Sequence, residues 1–259
     1  MNGDIPPEGP LGFRKKLLVT GGAGFIASHM IISLVNSYPD YLIVNLDKLD
    51  YCASLKNLEV ISNRPNYKFL QGDICDSDFI NMLFARENID IVLHFAAQTH
   101  VDLSFLHSLK FAYVNTYGTN ILLHAARLAS VEKFVYISTD EVYGASSYEE
   151  FDETSPKRPT NPYASSKAAA ENIVLSFWER YKIKHTVSES ETENWLVYVN
   201  DRPVNDLQYP MKLEKMHSLG WRPKVPWKEG IQKTIEWYNS NFHNWQSSEQ
   251  TLEPFLHEA

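Results

Sequence analysis

Between Lys15 and Tyr181 the chain alternates short, nearly continuous aliphatic runs with longer segments of helical period, a pattern that predicts βαβ units and a parallel sheet. Five runs read as strands, at 16–20, 41–47, 67–72, 89–95 and 132–138. Their consecutive apolar positions suit strands covered by helices on both faces. Helices fit at 26–36, 77–85, 105–129 and 162–181. The stretch 144–161 has the Gly, Ser and Pro chemistry of a long loop, a place where ligands are often held. The acidic stretch 183–194 stands where a doubly wound sheet would return a sixth strand, and no strand pattern is visible in it. Beyond lie an extended run at 195–200, a helix near 211–218, and an amphipathic helix from 227 to about 241 with Ile231, Ile235 and Tyr238 on one face. The predicted architecture is α/β: a Rossmann-like doubly wound parallel sheet over 15–182, a junction at 183–194, and a truncated C-terminal substrate lobe at 195–243. Flexible tails are expected at 1–14 and 244–259.

Composition narrows the classes. Of 259 residues, 44% are hydrophobic and 22% charged, which excludes collagen-like, disulfide-scaffold and wholly disordered chains. A formal charge of −8 with no Lys/Arg-rich block argues against a nucleic-acid partner. Cys52 and Cys75 lack CxxC spacing and nearby paired histidines, so no metal site is expected and a reducing, cytoplasmic setting fits. No apolar run approaches the roughly 20 residues of a membrane span, and the first residues lack the marks of a secretory leader.

Three segments carry chemistry. The first strand runs into Gly21-Gly22-Ala23-Gly24-Phe25-Ile26-Ala27, whose Gly22-x-Gly24-x-x-Ala27 spacing matches a dinucleotide turn. Glycines let the backbone approach a pyrophosphate, and the next helix offers N–H donors. An ordinary tight turn is the plain alternative. Asp47 ends the second strand, where a carboxylate can accept hydrogen bonds from an adenosine ribose and repel a 2′-phosphate, favouring NAD. Lys48 beside it leaves NADP open.

Tyr163 and Lys167 stand four apart at the start of a helix, hence on one face. A neighbouring ammonium and a positive nicotinamide would lower the phenol's pKa and fit it to take a hydroxyl proton. Thr139, Asp140 and Glu141 follow the fifth strand, where open α/β sheets collect ligands. The hydroxyl can meet a substrate oxygen, and two adjacent carboxyls can divide acid and base roles. A solvated acidic turn is the alternative. His94, His100 and His124 read mainly as structural, with His100 the nearest to a ligand role.

The segments TGGAGFIAS, LDKLDYCASLKNL, GDICD, HFAAQTHVDLS, NTYGT, STDEVYG, NPYASSKAAAE, DRPVNDLQYPM and LGWRPKVPWKEGIQKTIEWY together resemble the extended short-chain dehydrogenase/reductase family of NAD-dependent epimerases and dehydratases, within it the dTDP-glucose 4,6-dehydratases. The resemblance spans nearly all of 15–182 and about 194–243. It implies a lyase reaction on a nucleotide sugar with NAD recycled in place. Tyr163, Lys167 and Thr139 would serve oxidation at C4, Glu141 would take the C5 proton, and Asp140 would protonate the departing C6 hydroxyl. It further implies that Gly21, Gly24, Phe25, Ile26, Asp47, Lys48, Asp73, Ile74, Ala96, Ala97 and Thr99 line the cofactor with Tyr163 and Lys167. Arg202 would meet the substrate diphosphate, and the helices at 105–129 and 162–181 would form a homodimer bundle.

One departure stands out. Members of the family continue past the Tyr-Lys helix with further strands and helices of the sugar-nucleotide pocket, whereas this chain passes from Lys182 almost directly to Glu193-Asn194-Trp195. Roughly 90 residues are missing, enough for several elements at ordinary lengths. NAD binding is then expected to be more robust than dehydration. A catalytically silent NAD-binding protein and a nucleotide-sugar epimerase are the competing readings, the adjacent Asp140-Glu141 speaking against the second.

Overall fold

The computed structural model describes residues 12–145, 150–181, 184–188 and 210–244. Strand β1 (Lys15–Thr20) shows why the aliphatic runs are continuous. Successive side chains of a strand point to opposite faces. Leu17 and Val19 join Ile31 and Val35 of helix α1 (Phe25–Ser37), whereas Leu18 joins the cluster on the other side. That second cluster packs β2 (Tyr41–Asp47) and β4 (Ile91–His94) against α2 (Ser77–Glu87), α5 (Thr119–Leu128) and α6 (Pro162–Tyr181). With β3 (Tyr67–Gln71), β5 (Lys133–Ile137) and β6 (Lys184–Ser188), the sheet has six strands in the order β3-β2-β1-β4-β5-β6, all neighbours parallel. The chain reverses direction across the sheet between β1 and β4, and the crevice beyond their carboxyl ends is where such sheets bind ligands.

Strand β6 corrects the sequence reading of 183–194 as strandless. Lys184–Ser188 pairs in register with the open edge of β5, from Lys133↔Lys184 to Ile137↔Ser188. Backbone hydrogen bonding to a waiting edge suffices for a strand, so the polar composition hid it. The single helix expected at 105–129 is also divided, into α3 (Val101–Leu106), α4 (Ser108–Phe111), a π-helical turn over Ala112–Gly118, and α5. The wider turn is tied down by Asn115, which accepts from the Gln98 N–H (2.7 Å) and donates to the Gln98 carbonyl (2.9 Å) and the Ser166 hydroxyl (2.8 Å). A wider turn is a change of backbone hydrogen-bond register and not of residue type, so the pattern could not reveal it.

Residues 210–212 rejoin the domain beside Phe151. The Phe151 N–H donates to the Pro210 carbonyl (2.7 Å), Lys212 N–H to the Phe151 carbonyl (2.8 Å), and the Lys212 ammonium to Asp152 (3.0 Å). Helix α7 is Glu214–Ser218, and α8 spans Trp227–Asn241 as its period predicts. Trp237 and Tyr238 of α8 pack on Phe25 at ring separations of 5.0 and 5.1 Å. Of the tails expected at 1–14 and 244–259, residues 1–11 and 245–259 lie outside the described residues, as does the extended run at 195–200.

His94 is fully buried where β1, β4 and α5 meet, bonded to the Thr20 hydroxyl (2.7 Å) through Nδ1 and to the Thr119 hydroxyl (2.8 Å) through Nε2. Thr119 spends its own proton on the Asn115 carbonyl (2.5 Å), so His94 carries its proton on Nε2 and accepts from Thr20 at Nδ1. Burial, aided by Lys167, depresses its pKa to about 3. Below an unfolded value near 6.5 the unfolded chain takes a proton that the folded chain refuses. Native stability from this group is therefore full above that pH and is lost as pH falls toward 3. The stability advantage of the natural protein over His94→Gln should shrink by about 1.4 kcal/mol per pH unit across that window, as read from denaturant titrations.

Candidate active site

The glycine turn is built for close approach. Gly21 has φ +70°, and a Cβ there would lie 2.7 Å from the Ala96 backbone. At Gly22 a Cβ would lie 2.1 Å from the Asn45 amide oxygen, so this glycine serves packing between turn and sheet. Gly24 precedes α1, whose first turn carries no acidic residue and no side-chain cap. A thirteen-residue helix thus opens its positive end onto the cleft, and these residues fit a dinucleotide pyrophosphate.

That cleft holds about 500 Å³ and runs along the carboxyl ends of β1, β2 and β4. Gly21, Gly24, Phe25 and Ile26 form its floor, and Asp47 and Lys48 one end. Asp73 and Ile74 line it too, as do Ala96, Ala97 and Thr99, and Tyr163 and Lys167 complete it. Asp47 is buried, accepting from the Ala23 N–H (3.0 Å) and Leu49 N–H (2.7 Å), and burial raises its pKa. Two bonds leave a carboxylate with capacity for ribose hydroxyls.

At the other end, the Thr139 hydroxyl lies close enough to Tyr163 to favour its phenolate, which places the end of β5 beside the start of α6. The residues after Thr139 form a short 3-10 turn, Asp140–Tyr143. Asp140 accepts from the Thr139 hydroxyl (3.2 Å) and Glu141 N–H (3.0 Å), and Glu141 accepts from the Asn161 amide (2.8 Å). Thr139, Asp140 and Glu141 thereby gather around Tyr163, which with Lys167 lines that end of the cleft; the three themselves stand behind its lining. Arg202 lies outside the described residues.

The electrostatics differ from the expected depressed phenol. Burial and then the Glu141 charge push the Tyr163 pKa up, the nearby Thr139 hydroxyl opposes them, and Asp140 adds to the rise. Lys167 does not relieve this, because its ammonium donates to the Ile137 carbonyl and lies 4.3 Å from the centre of the Tyr136 ring. Burial depresses Lys167 to about 7, with Glu171 resisting. The protein alone therefore holds Tyr163 as a phenol.

Several contributors escaped sequence reasoning. Asn161 both anchors Glu141 and caps α6, accepting from the Ala164 N–H (2.8 Å). An Asn before a Pro at the first helical position is a readable cap signal, although the second role is not. Glu171 continues the Tyr163–Lys167 face by one turn, accepts from the Ser138 hydroxyl (3.0 Å) and pairs with Lys157 (2.7 Å). Tyr238 and Phe242 wall the cleft from the C-terminal segment, and no local signal announces them.

Sheet order, glycine turn and Tyr-Lys pair define a dinucleotide-fold protein of the dehydrogenase/reductase type. The sequence pattern of the GDP-mannose 4,6 dehydratase family matches residues 18–194, and the chain belongs to that family. It is 53% identical to dTDP-D-glucose 4,6-dehydratase of Homo sapiens over 336 residues, covering 95% of this chain and 96% of the relative. A comparison 336 residues long exceeds this 259-residue chain by 77, so at least that many positions have no counterpart here. The crystal structure of dTDP-glucose 4,6-dehydratase from Streptomyces venezuelae, with NAD bound, is 26% identical with a TM-score of 0.81, covering 89% of this chain and 99% of that one. UDP-glucose 4-epimerase of Thermus thermophilus, also with NAD, is 33% identical with a TM-score of 0.61 but covers 66% and 53%.

Proposed function

We propose that this chain binds NAD and carries the residues for dehydrating dTDP-glucose to its 4-keto-6-deoxy product. The observation that carries this reading is the gathering of Thr139, Asp140 and Glu141 around Tyr163, whose ring lines one end of a dinucleotide cleft. The dehydratase relatives support it, since they match this chain over nearly their whole length, whereas the epimerase matches over about half.

When bound, NAD supplies a hydride acceptor for C4 and a hydride donor for C6, and its positive ring offsets the forces that hold Tyr163 protonated. Tyr163 takes the C4 hydroxyl proton, with the Thr139 hydroxyl beside it favouring the phenolate. The ketone so formed acidifies the C5 hydrogen. Glu141, held by Asn161 through one oxygen, takes that proton with the other, and Asp140 delivers a proton to the C6 oxygen as water departs. A Rossmann-like domain over 15–182 would supply all of these groups. Arg202 in the 195–243 remnant would meet the diphosphate through its forked donors.

The missing positions fall, in this reading, between 182 and 194, where a full-length relative builds its nucleotide grip. Remote binding energy that positions the sugar is thereby reduced, while the cofactor contacts stay complete. Purified protein should retain NAD through gel filtration and form product more slowly than the human relative, and Glu141→Gln should abolish product without releasing NAD. Retention without any product would favour a silent NAD-binding partner of an intact relative, and turnover at the relative's full rate would refute the reduced pocket.

We further assign this chain to the cytoplasm, supported by Cys52 and Cys75, which no disulfide joins. A homodimer through 105–129 and α6 is supported by Leu109, which is 85% exposed, and by the exposed, mutually stacked Tyr113 and Tyr117 beside α6. Such an apolar patch marks an association surface.

A further inference from the structure

Lys48 lies one residue beyond the carboxylate proposed to hold the adenosine ribose, and it lines the cleft. Its ammonium is 3.3 Å from an Asp50 oxygen and 3.6 Å from an Asp73 oxygen, and both acids also line the cleft. Neither acid is a loose surface partner. Leu49, between Lys48 and Asp50, has φ +62°, a reversal that returns Asp50 alongside Lys48. Asp50 accepts from the Tyr51 N–H (2.9 Å) and the Gln98 amide (2.9 Å), and Lys110 of α4 approaches it at 3.6 Å. Gln98 is in turn fixed by Asn115 of the π-helical turn. Asp73 is oriented by the Cys75 N–H at 2.9 Å.

We propose that Asp50 and Asp73 set the cofactor preference of this cleft by occupying the Lys48 ammonium and so withholding it from a 2′-phosphate. This inference rests on the dinucleotide reading given above and deepens it. Burial by itself would lower the Lys48 pKa, but Asp73 and Asp50 more than offset it and the pKa is raised, so the cation is present yet spoken for. Asp47, Asp50 and Asp73 set three carboxylates against the ammoniums of Lys48 and Lys110, leaving a local excess of one negative charge. A phosphate brought there meets net repulsion. Without the two acids the same side chain would be the phosphate's natural partner.

The test is Asp50→Asn with Asp73→Asn in the full chain, stripped of nucleotide, with Kd for NAD and NADP measured by calorimetry. Asparagine keeps the shape and can still accept from Gln98, Tyr51 and Cys75. The ratio of NADP to NAD affinity should move toward NADP by on the order of tenfold. Adding Lys48→Gln should return it to the starting value. An unmoved ratio overturns the inference, as does a gain that survives Lys48→Gln, since Lys110 or simple charge removal would then be responsible. Should the double variant not fold, Asp50→Asn alone is read the same way, with a shift of about threefold expected. Failure of the unaltered protein to bind either dinucleotide would instead refute the dinucleotide reading itself, and this inference with it.

Discussion

Gly21→Val should lower the stability of the protein by about 3 kcal/mol and abolish dinucleotide binding. Two costs combine. A left-handed backbone costs a non-glycine residue about 1–2 kcal/mol, and forcing a side chain into a packed site costs about 1–3 kcal/mol. At Gly21 both apply, because φ is +70° and the obstruction 2.7 Å away is the Ala96 backbone, which cannot swing aside as a side-chain tip could. Gly220 provides the control. Its φ is +85° but nothing lies within 4 Å of an added Cβ, so Gly220→Ala should show the conformational cost alone, about 1 kcal/mol, and leave the cleft intact. Thermal unfolding of the two variants separates the terms, with about 10 °C expected for Gly21→Val against a few degrees for Gly220→Ala. Equal shifts would mean that the Gly21–Ala96 contact carries no energy.

Tyr163→Phe should reduce turnover by about 10²–10⁴-fold while most NAD is retained, because the proton acceptor is lost but the ring still lines the cleft. The electrostatics supply an independent check. Burial and the Glu141 charge hold the Tyr163 pKa above its ordinary value, so neutralising Glu141 removes one of the two leading causes. Removing a nearby negative charge favours phenolate. In Glu141→Gln the buried phenol should therefore ionise at lower pH than in the natural protein, and near-ultraviolet phenolate absorbance should record the shift. The transition should vanish in the Glu141→Gln, Tyr163→Phe double variant. An unmoved transition would place Glu141 too far from Tyr163 to share a site.

Much of the nucleotide half was legible because its signals are local. Strand β2 and helices α6 and α8 begin and end where the hydrophobic period says they should, at Tyr41–Asp47, Pro162–Tyr181 and Trp227–Asn241. The glycine turn is likewise a property of a few consecutive residues. Strand β6 was not legible, because the deciding partner is the edge of β5, some fifty residues earlier in the chain. The part of Lys167 at Tyr163 was misread for a related reason. Spacing put Lys167 on the same helical face, but the direction of the ammonium was decided by the Ile137 carbonyl and the Tyr136 ring, both on a strand that the helix pattern does not know about.

The sequence by itself determined the alternation of strands and helices, the glycine turn after β1, and the residue types available for proton transfer, since each follows from periodicity, backbone freedom or side-chain chemistry over a short span. Only the tertiary structure decided that Asn161 holds Glu141, that two carboxylates engage Lys48, and that Tyr238 walls the cleft. Those contacts join segments that meet only after the sheet has formed. Their strength depends on distance and burial, and neither quantity exists until the chain has folded.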